Sequence, residues 1–347
     1  VPLRAVPLCV VVVGLLLSSG ACADADVPVG TRSSPVAPSA VGHAPAATER
    51  VQGADRYATA IALSQREFPG GSDVVVLASG EDFPDALVSA PAAQAFSAPL
   101  LLTRRDRIPE TVTAEVARLG ASTVVVPGGD TAVSPSVVDA LQDAGLEVRR
   151  FDGRDRYATA ASIATTLLRP GQRGGRVFVA SGTDHPDALS AAAAASAVGA
   201  PVLLVAPDSL PTVTRRALEA LAPESVVVVG GERAVTPEVF RALDRALDGV
   251  VPERVSGGDR YETSAAVQQA TGSTTWPTAF LATGRDYADA LAAAAVGAPV
   301  LLVERTCVPP APAALLAQRA PASLVAVGGS TVLEEGVTAG RVCGAGG

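Results

Sequence analysis

Three pairs of aspartates, each pair three residues apart, are the groups best placed to do chemistry: Asp82 with Asp85, Asp184 with Asp187, Asp286 with Asp289. Two neighbouring carboxylates can divide acid and base roles in glycan hydrolysis, or ligate a cation. The same spacing suits an N-cap and the third residue of a helix, with Pro84 or Pro186 inside the first turn. Acids there also complement the positive end of the helix dipole. We read the pairs first as caps and keep a paired-Asp hydrolase as the alternative. A second candidate set lies in "GADRYATA", "GRDRYATA" and "GGDRYETS", which begin at Gly53, Gly153 and Gly257. Asp55 is suited to cap the following helix, and Tyr57 shares a helical face with Ala60, Ile61 and Ser64. Arg56, Arg156 and Arg260 either pair with a neighbouring carboxylate or face a ligand. A third set is the double glycines Gly128-Gly129, Gly230-Gly231 and Gly328-Gly329. Each follows an apolar strand, where a turn brings backbone N–H groups close to an anion.

Other chemistries lack their residues. Only His43 and His185 are available, too few for a zinc amidase centre, and no G-x-S-x-G motif accompanies a usable histidine. We expect no metal and no cofactor. All 27 basic residues are arginine, they form no run, and the net charge is −8, so no nucleic-acid partner is expected.

The elements that must position these residues recur at steps of about a hundred residues. "VVVLASGEDFPDAL" returns as "RVFVASGTDHPDAL" and "TAFLATGRDYADAL"; "APLLLT" returns as "APVLLV" twice. Short apolar runs without alternation predict strands buried on both faces. Ala-rich segments of helical length separate them, which predicts an α/β fold with parallel sheets and right-handed crossovers. The repeats occupy 50–149, 150–253 and 254–343, followed by a tail at 344–347. The third ends without a further "GxDRY", so it reads as C-terminally truncated.

Residues 1–23 have the form of a signal peptide: Arg4, an apolar run from Leu8 to Leu17, then small residues before a cleavage site. No later segment reads as a membrane span. A lipoprotein anchored at Cys22 is the minority option. Residues 24–49, rich in Ala, Pro, Ser and Val, read as a disordered linker. Export leaves Cys307 and Cys343, which an oxidising compartment would join as a disulfide.

Four ordered motifs, "GxDRYxTA", "SGxDxPDAL", "APxLL" and "GGxxAVS", resemble the type 2 cell-wall-binding repeat family of Gram-positive bacteria. The resemblance implies three tandem Rossmann-like units in a pseudo-threefold arrangement. It also implies an extracellular protein attached non-covalently to an anionic secondary wall polymer. It assigns attachment to the "PLLL" strand and the loop after it: Leu100, Leu101, Leu102, Thr103, Arg104 and Arg105; Leu203 and Leu204; Leu301, Leu302 and Arg305. The third copy departs from the pattern, with Ala288 in place of the proline. Protein and polymer would share a negative sign, so capture must be local, through arginine, helix N-termini or a bridging cation. Aromatic residues are only 3%, which leaves few stacking platforms for sugars. An extracellular small-molecule receptor using the Rossmann-like crevices is the other alternative. The sequence does not specify an oligomeric state.

Overall fold

The computed structural model describes residues 48–83, 85–166 and 174–344. The signal peptide, its cleavage site, Cys22, Pro84 and nearly all of the linker lie outside the described residues.

The first copy runs β1 (Thr48–Val51), α1 (Arg56–Glu67), β2 (Val74–Ser79), a 3-10 turn (Ala86–Val88), α2 (Ser89–Phe96), β3 (Leu100–Thr103), α3 (Glu110–Leu119), β4 (Thr123–Pro127), α4 (Pro135–Asp143) and β5 (Glu147–Phe151). The second runs α5 (Arg156–Thr166), β6 (Arg176–Ser181), α6 (His185–Val198), β7 (Val202–Val205), α7 (Thr212–Leu221), β8 (Ser225–Val229), α8 (Pro237–Ala246) and β9 (Glu253–Val255). The third runs α9 (Arg260–Ala270), β10 (Thr278–Thr283), α10 (Ala288–Ala294), β11 (Val300–Val303), α11 (Pro310–Arg319), β12 (Ser323–Val327) and α12 (Glu335–Thr338).

These strands form three all-parallel sheets of four, as the unalternating Val and Leu runs predict. Two have the orders β3-β2-β4-β5 and β7-β6-β8-β9; the third has β11-β10-β12-β1. The fourth strand of the third sheet is therefore supplied from the other end of the described fold. Thr48 to Val51 pair in parallel register with Leu324 to Val327. Thr48 and Glu49, at the edge of the segment expected to be linker, belong to this strand.

Helices α2, α6 and α10 follow the first long strand of each copy and touch one another. They have no polar face. In α6, Pro186 and every residue from Ala188 to Ser196 are buried. A helix buried all round needs small side chains to approach both a sheet and two neighbouring helices, which accounts for the alanine runs. The outer helices are amphipathic instead: α7 buries Thr214, Ala217, Leu218 and Leu221 and leaves its arginines in water. In the third copy Cys307 and Cys343 form the expected disulfide, beside a bridge between Val308 and Val342.

Candidate functional site

In each sheet the winding reverses between the two central strands, β2 and β4 in the first copy. Ligands of open α/β sheets lodge at the carboxyl ends of the strands at such a point. The loop after β2 carries Asp82 and Asp85, and the loop after β4 carries Gly128-Gly129, so two of the candidate sets meet there.

The second acid of each pair lies under the glycine turn. A Cβ placed on Gly128 would approach Asp85 Oδ2 to 2.8 Å, and one on Gly328 would approach Asp289 Oδ2 to 2.8 Å. Both glycines also have left-handed φ, 97° and 122°, so a side chain there is strained as well as obstructed. Gly230 stands in the same relation to Asp187. Burial pushes all three carboxyls up, with the first acid of the pair adding to the shift. Asp187 and Asp289 reach about 6; for Asp289 the Arg56 guanidinium and the Thr59 hydroxyl pull the other way. Asp85 is raised too, chiefly by burial, against a hydrogen bond from Thr159, and its Oδ1 is buried with no partner.

The DRY arginines close these sites from the neighbouring copy. Each donates to the carbonyl of the glycine after the long strand in its own copy: Arg56 to Gly80 at 2.7 Å, Arg156 to Gly182 at 2.6 Å, Arg260 to Gly284 at 2.6 Å. Each also faces the acid pair of the copy before it. Arg56 reaches round to Asp286 at 3.0 Å. Arg156 acts on Asp85, and Arg260 on Asp187 and His185. The three junctions are thus cyclic, each built from two copies. At their centre Phe83 packs against His185, with ring centroids 5.6 Å apart, and against Tyr287 at 6.2 Å. These residues fill the same motif position in the three copies.

The helix-capping expectation divides. The DRY aspartates cap as predicted: Asp55 accepts from Ala58 N at 2.9 Å, Asp155 from Ala158 N at 2.8 Å, and Asp259 from Tyr261 N and Glu262 N at 2.8 Å. The paired acids do so poorly. Asp184 occupies the N-cap of α6 without a side-chain hydrogen bond, and the first copy opens with a 3-10 turn instead of an α-helix. Asp286 accepts only a long bond from Ala288 N, 3.3 Å. The firmer partner of Asp286 is Arg56 of another copy, a contact of which a single repeat read alone contains no trace.

The attachment strands are core. Leu101, Leu102, Leu203, Leu204, Leu301 and Leu302 are at most 2% exposed, Leu100 is 4% exposed, and Thr103 is fully buried. These residues lie inside their sheets, so an attachment role carried to this motif would fall to the loops that follow. Only the loops after them reach water. Arg104 lies over the Tyr57 ring at 5.1 Å and pairs with Glu81 at 3.3 Å; Arg105 is exposed, and Arg305 pairs with Glu334 at 2.8 Å. A Cβ added at Gly129 or Gly231 would meet nothing within 4 Å, so both turns are open on that side. A surface groove of about 380 Å³ runs along α9 and α11 and includes none of the acids of the pairs.

One set of residues escaped the sequence reading. Arg50, Arg150 and Arg254, on the last strand of each sheet, donate to the carbonyls of Gly328, Gly128 and Gly230 at 2.7 to 2.8 Å. Arg150 and Arg254 also reach Val133 O and Val235 O at 2.8 Å, so they pin the turns from outside. The signal was an arginine just before the end of the short apolar run preceding each "GxDRY".

The family model described as Cell wall binding domain 2 matches three times, at residues 50–138, 150–240 and 254–338. The chain is 28% identical over 250 residues to the N-acetylmuramoyl-L-alanine amidase LytC of Bacillus subtilis, covering 72% of this chain and 48% of that protein. It is 29% identical over 222 residues to the amidase enhancer of the same organism, covering 64% of this chain and 29% of that one. Among solved structures it resembles Cwp6 from Clostridium difficile, with TM-score 0.77 and 27% identity over 85% of this chain and 48% of the other. Cwp8 from the same organism gives TM-score 0.73 and 26% identity over 84% and 50%. The chain spans half or less of the length of these relatives. Among the described residues no helix is long and apolar enough to cross a membrane.

Proposed function

The chain belongs to the cell wall binding domain 2 family, and from that premise we propose that it is an exported, non-catalytic module that grips an anionic secondary wall polymer through its three copies. The observation that carries the reading is the triplicate match, in which each copy brings the same glycine turn and acid pair to a strand-end crevice. Several weak contacts on one rigid body gain avidity on a repeating chain. Contact falls to the loops, since the strand leucines are buried: Arg104, Arg105 and Arg305, with the open turns at Gly129 and Gly231. With a net charge of −8, long-range attraction to an anionic polymer is absent, and these local arginines must do the capturing.

The hydrolase alternative draws on Asp187 and Asp289, because a raised carboxyl beside a second acid suits glycan hydrolysis. Each raised acid faces a glycine turn of its own chain, which argues for a structural role. Co-sedimentation with purified Gram-positive sacculi, before and after acid extraction of secondary polymers, tests attachment. The protein is expected to pellet with intact walls and stay in the supernatant with stripped ones. Zymography on the same walls is expected to show no clearing.

A further inference from the structure

The three DRY tyrosines occupy equivalent places but are not equally covered. Tyr57 is 6% exposed and Tyr261 8% exposed, whereas Tyr157 is only partly buried. All three rings are seated alike on one flank, against a glycine whose added Cβ would come within 2.8 Å of Tyr57 or Tyr157 and 2.6 Å of Tyr261. The difference lies in the cover. In the first copy Arg104 lies over the ring and is held by Glu81, which also accepts from Arg105 N at 3.0 Å. In the third copy the charges are exchanged: Arg285 pairs with Glu304 at 2.9 Å, and burial, with the Glu304 carboxylate adding to it, pushes the Tyr261 hydroxyl up to about 12. The second copy has Thr183 and Ala206 at these positions, with neither charge present.

We infer that the second copy carries the open saccharide subsite of the molecule, where a neutral sugar ring of the wall polymer stacks on Tyr157. The first and third copies fill the same place with their own ion pairs. This rests on the wall-attachment reading. The guanidinium over Tyr57 shows that the outer face of this ring takes a stacked group; a neutral pyranose would lay its C–H face there in place of the charge. Thr183 and Ala206 add no charge that would select a phosphate or an amine, so a hexose or N-acetylhexosamine unit suits the place. Arg156, held by Gly182 O and seated with Tyr157 against Gly182, supplies a donor beside the ring.

The test installs the first copy's cover in the second. Thr183→Glu with Ala206→Arg leaves Tyr157 and the core untouched, and a thermal melt like that of the wild type establishes folding. Sacculus co-sedimentation of the full chain is expected to show about threefold to tenfold weaker binding for this variant, matched by Tyr157→Ala. For a neutral ring, the ratio of wild-type to covered-variant affinity stays constant from low to high NaCl. Should the covered variant pellet as the wild type does, or the ratio collapse with salt, the saccharide subsite is overturned while wall attachment stands. Wild-type protein that stays in the supernatant with intact walls overturns the attachment reading and this inference with it.

Discussion

The strand-end junctions and the rim just above them follow opposite rules. In the junctions all three copies keep the same parts: an acid under a left-handed glycine, a DRY arginine from the next copy, and an arginine pinning the turn from the last strand. On the rim, a short step away along the same loops, the copies differ at every turn: Glu81 with Arg104, Thr183 with Ala206, Arg285 with Glu304. A buried polar group, such as the Asp289 carboxyl or the Arg150 guanidinium, fixes its partners, because leaving one unmade costs the full desolvation of the other; the Arg56–Asp286 pair is as open to water as the rim pairs and is not held in this way. An exposed pair contributes little and is free to reverse or disappear. The parts that recur therefore assemble the body, and recognition is to be sought where they stop recurring.

The strongest challenge to that division is to remove β1. Without Thr48 to Val51, β12 loses its parallel neighbour and Gly328 loses the arginine that pins it. The third copy is expected to lose cooperative melting while the first two retain it, read by hydrogen exchange on β10 to β12. Next in size is the disulfide. Reducing Cys307–Cys343, or replacing both with serine, is expected to cost about 3 kcal/mol. The loss should be confined to the third copy, whose rim loop Arg341 also holds by donating to Thr306 O at 2.6 Å.

The junction acids set a pH dependence. Asp187 and Asp289 bind protons more tightly in the folded chain, where they titrate at about 6, than at their ordinary 3.8. Their contribution is complete below about pH 4 and is lost as the pH rises through 6. Melting scans should therefore show stability falling between pH 4 and 7 by about 2 kcal/mol for each group, or about 5 kcal/mol for the two, and Asp187→Asn with Asp289→Asn should flatten that slope. Glu115 opposes this trend only in stronger acid. Although burial alone would raise its carboxyl, hydrogen bonds from Arg118, Ser64 and Gln65 hold it below its usual value, so its support is present above that usual value and is lost as the pH falls on through the lowered one. The smallest effect belongs to the rim. Exchanging the charges as Arg285→Glu with Glu304→Arg should alter stability by less than about 0.5 kcal/mol in a melt. A loss of several kcal/mol would place this pair with the junctions instead.

The sequence made the repeated unit legible because buried parallel strands leave unbroken apolar runs, and double glycines mark the turns after them. The disulfide followed from the cysteine count once export was assumed. The caps at Asp55, Asp155 and Asp259 were legible because a cap acts within four residues. The action of one copy on the next was not. That Asp286 meets Arg56, or that Phe83, His185 and Tyr287 converge, depends on residues a hundred or more positions apart. The burial of the strand leucines was hard to read for a related reason: a motif repeated for the sake of the core reads, in sequence, like one repeated for binding.

Because Thr48–Val51 completes the sheet begun at Thr278, the architecture is a closed loop, and its multiplicity is geometric. A lone copy would lack a strand or an acid's counter-arginine, and a pair would leave an open edge on each side. A fourth copy could enter only by prising the circle apart and re-angling all the central helices. Such an object cannot be lengthened or shortened in steps, as a linear array can. To cover more surface, it must be multiplied whole.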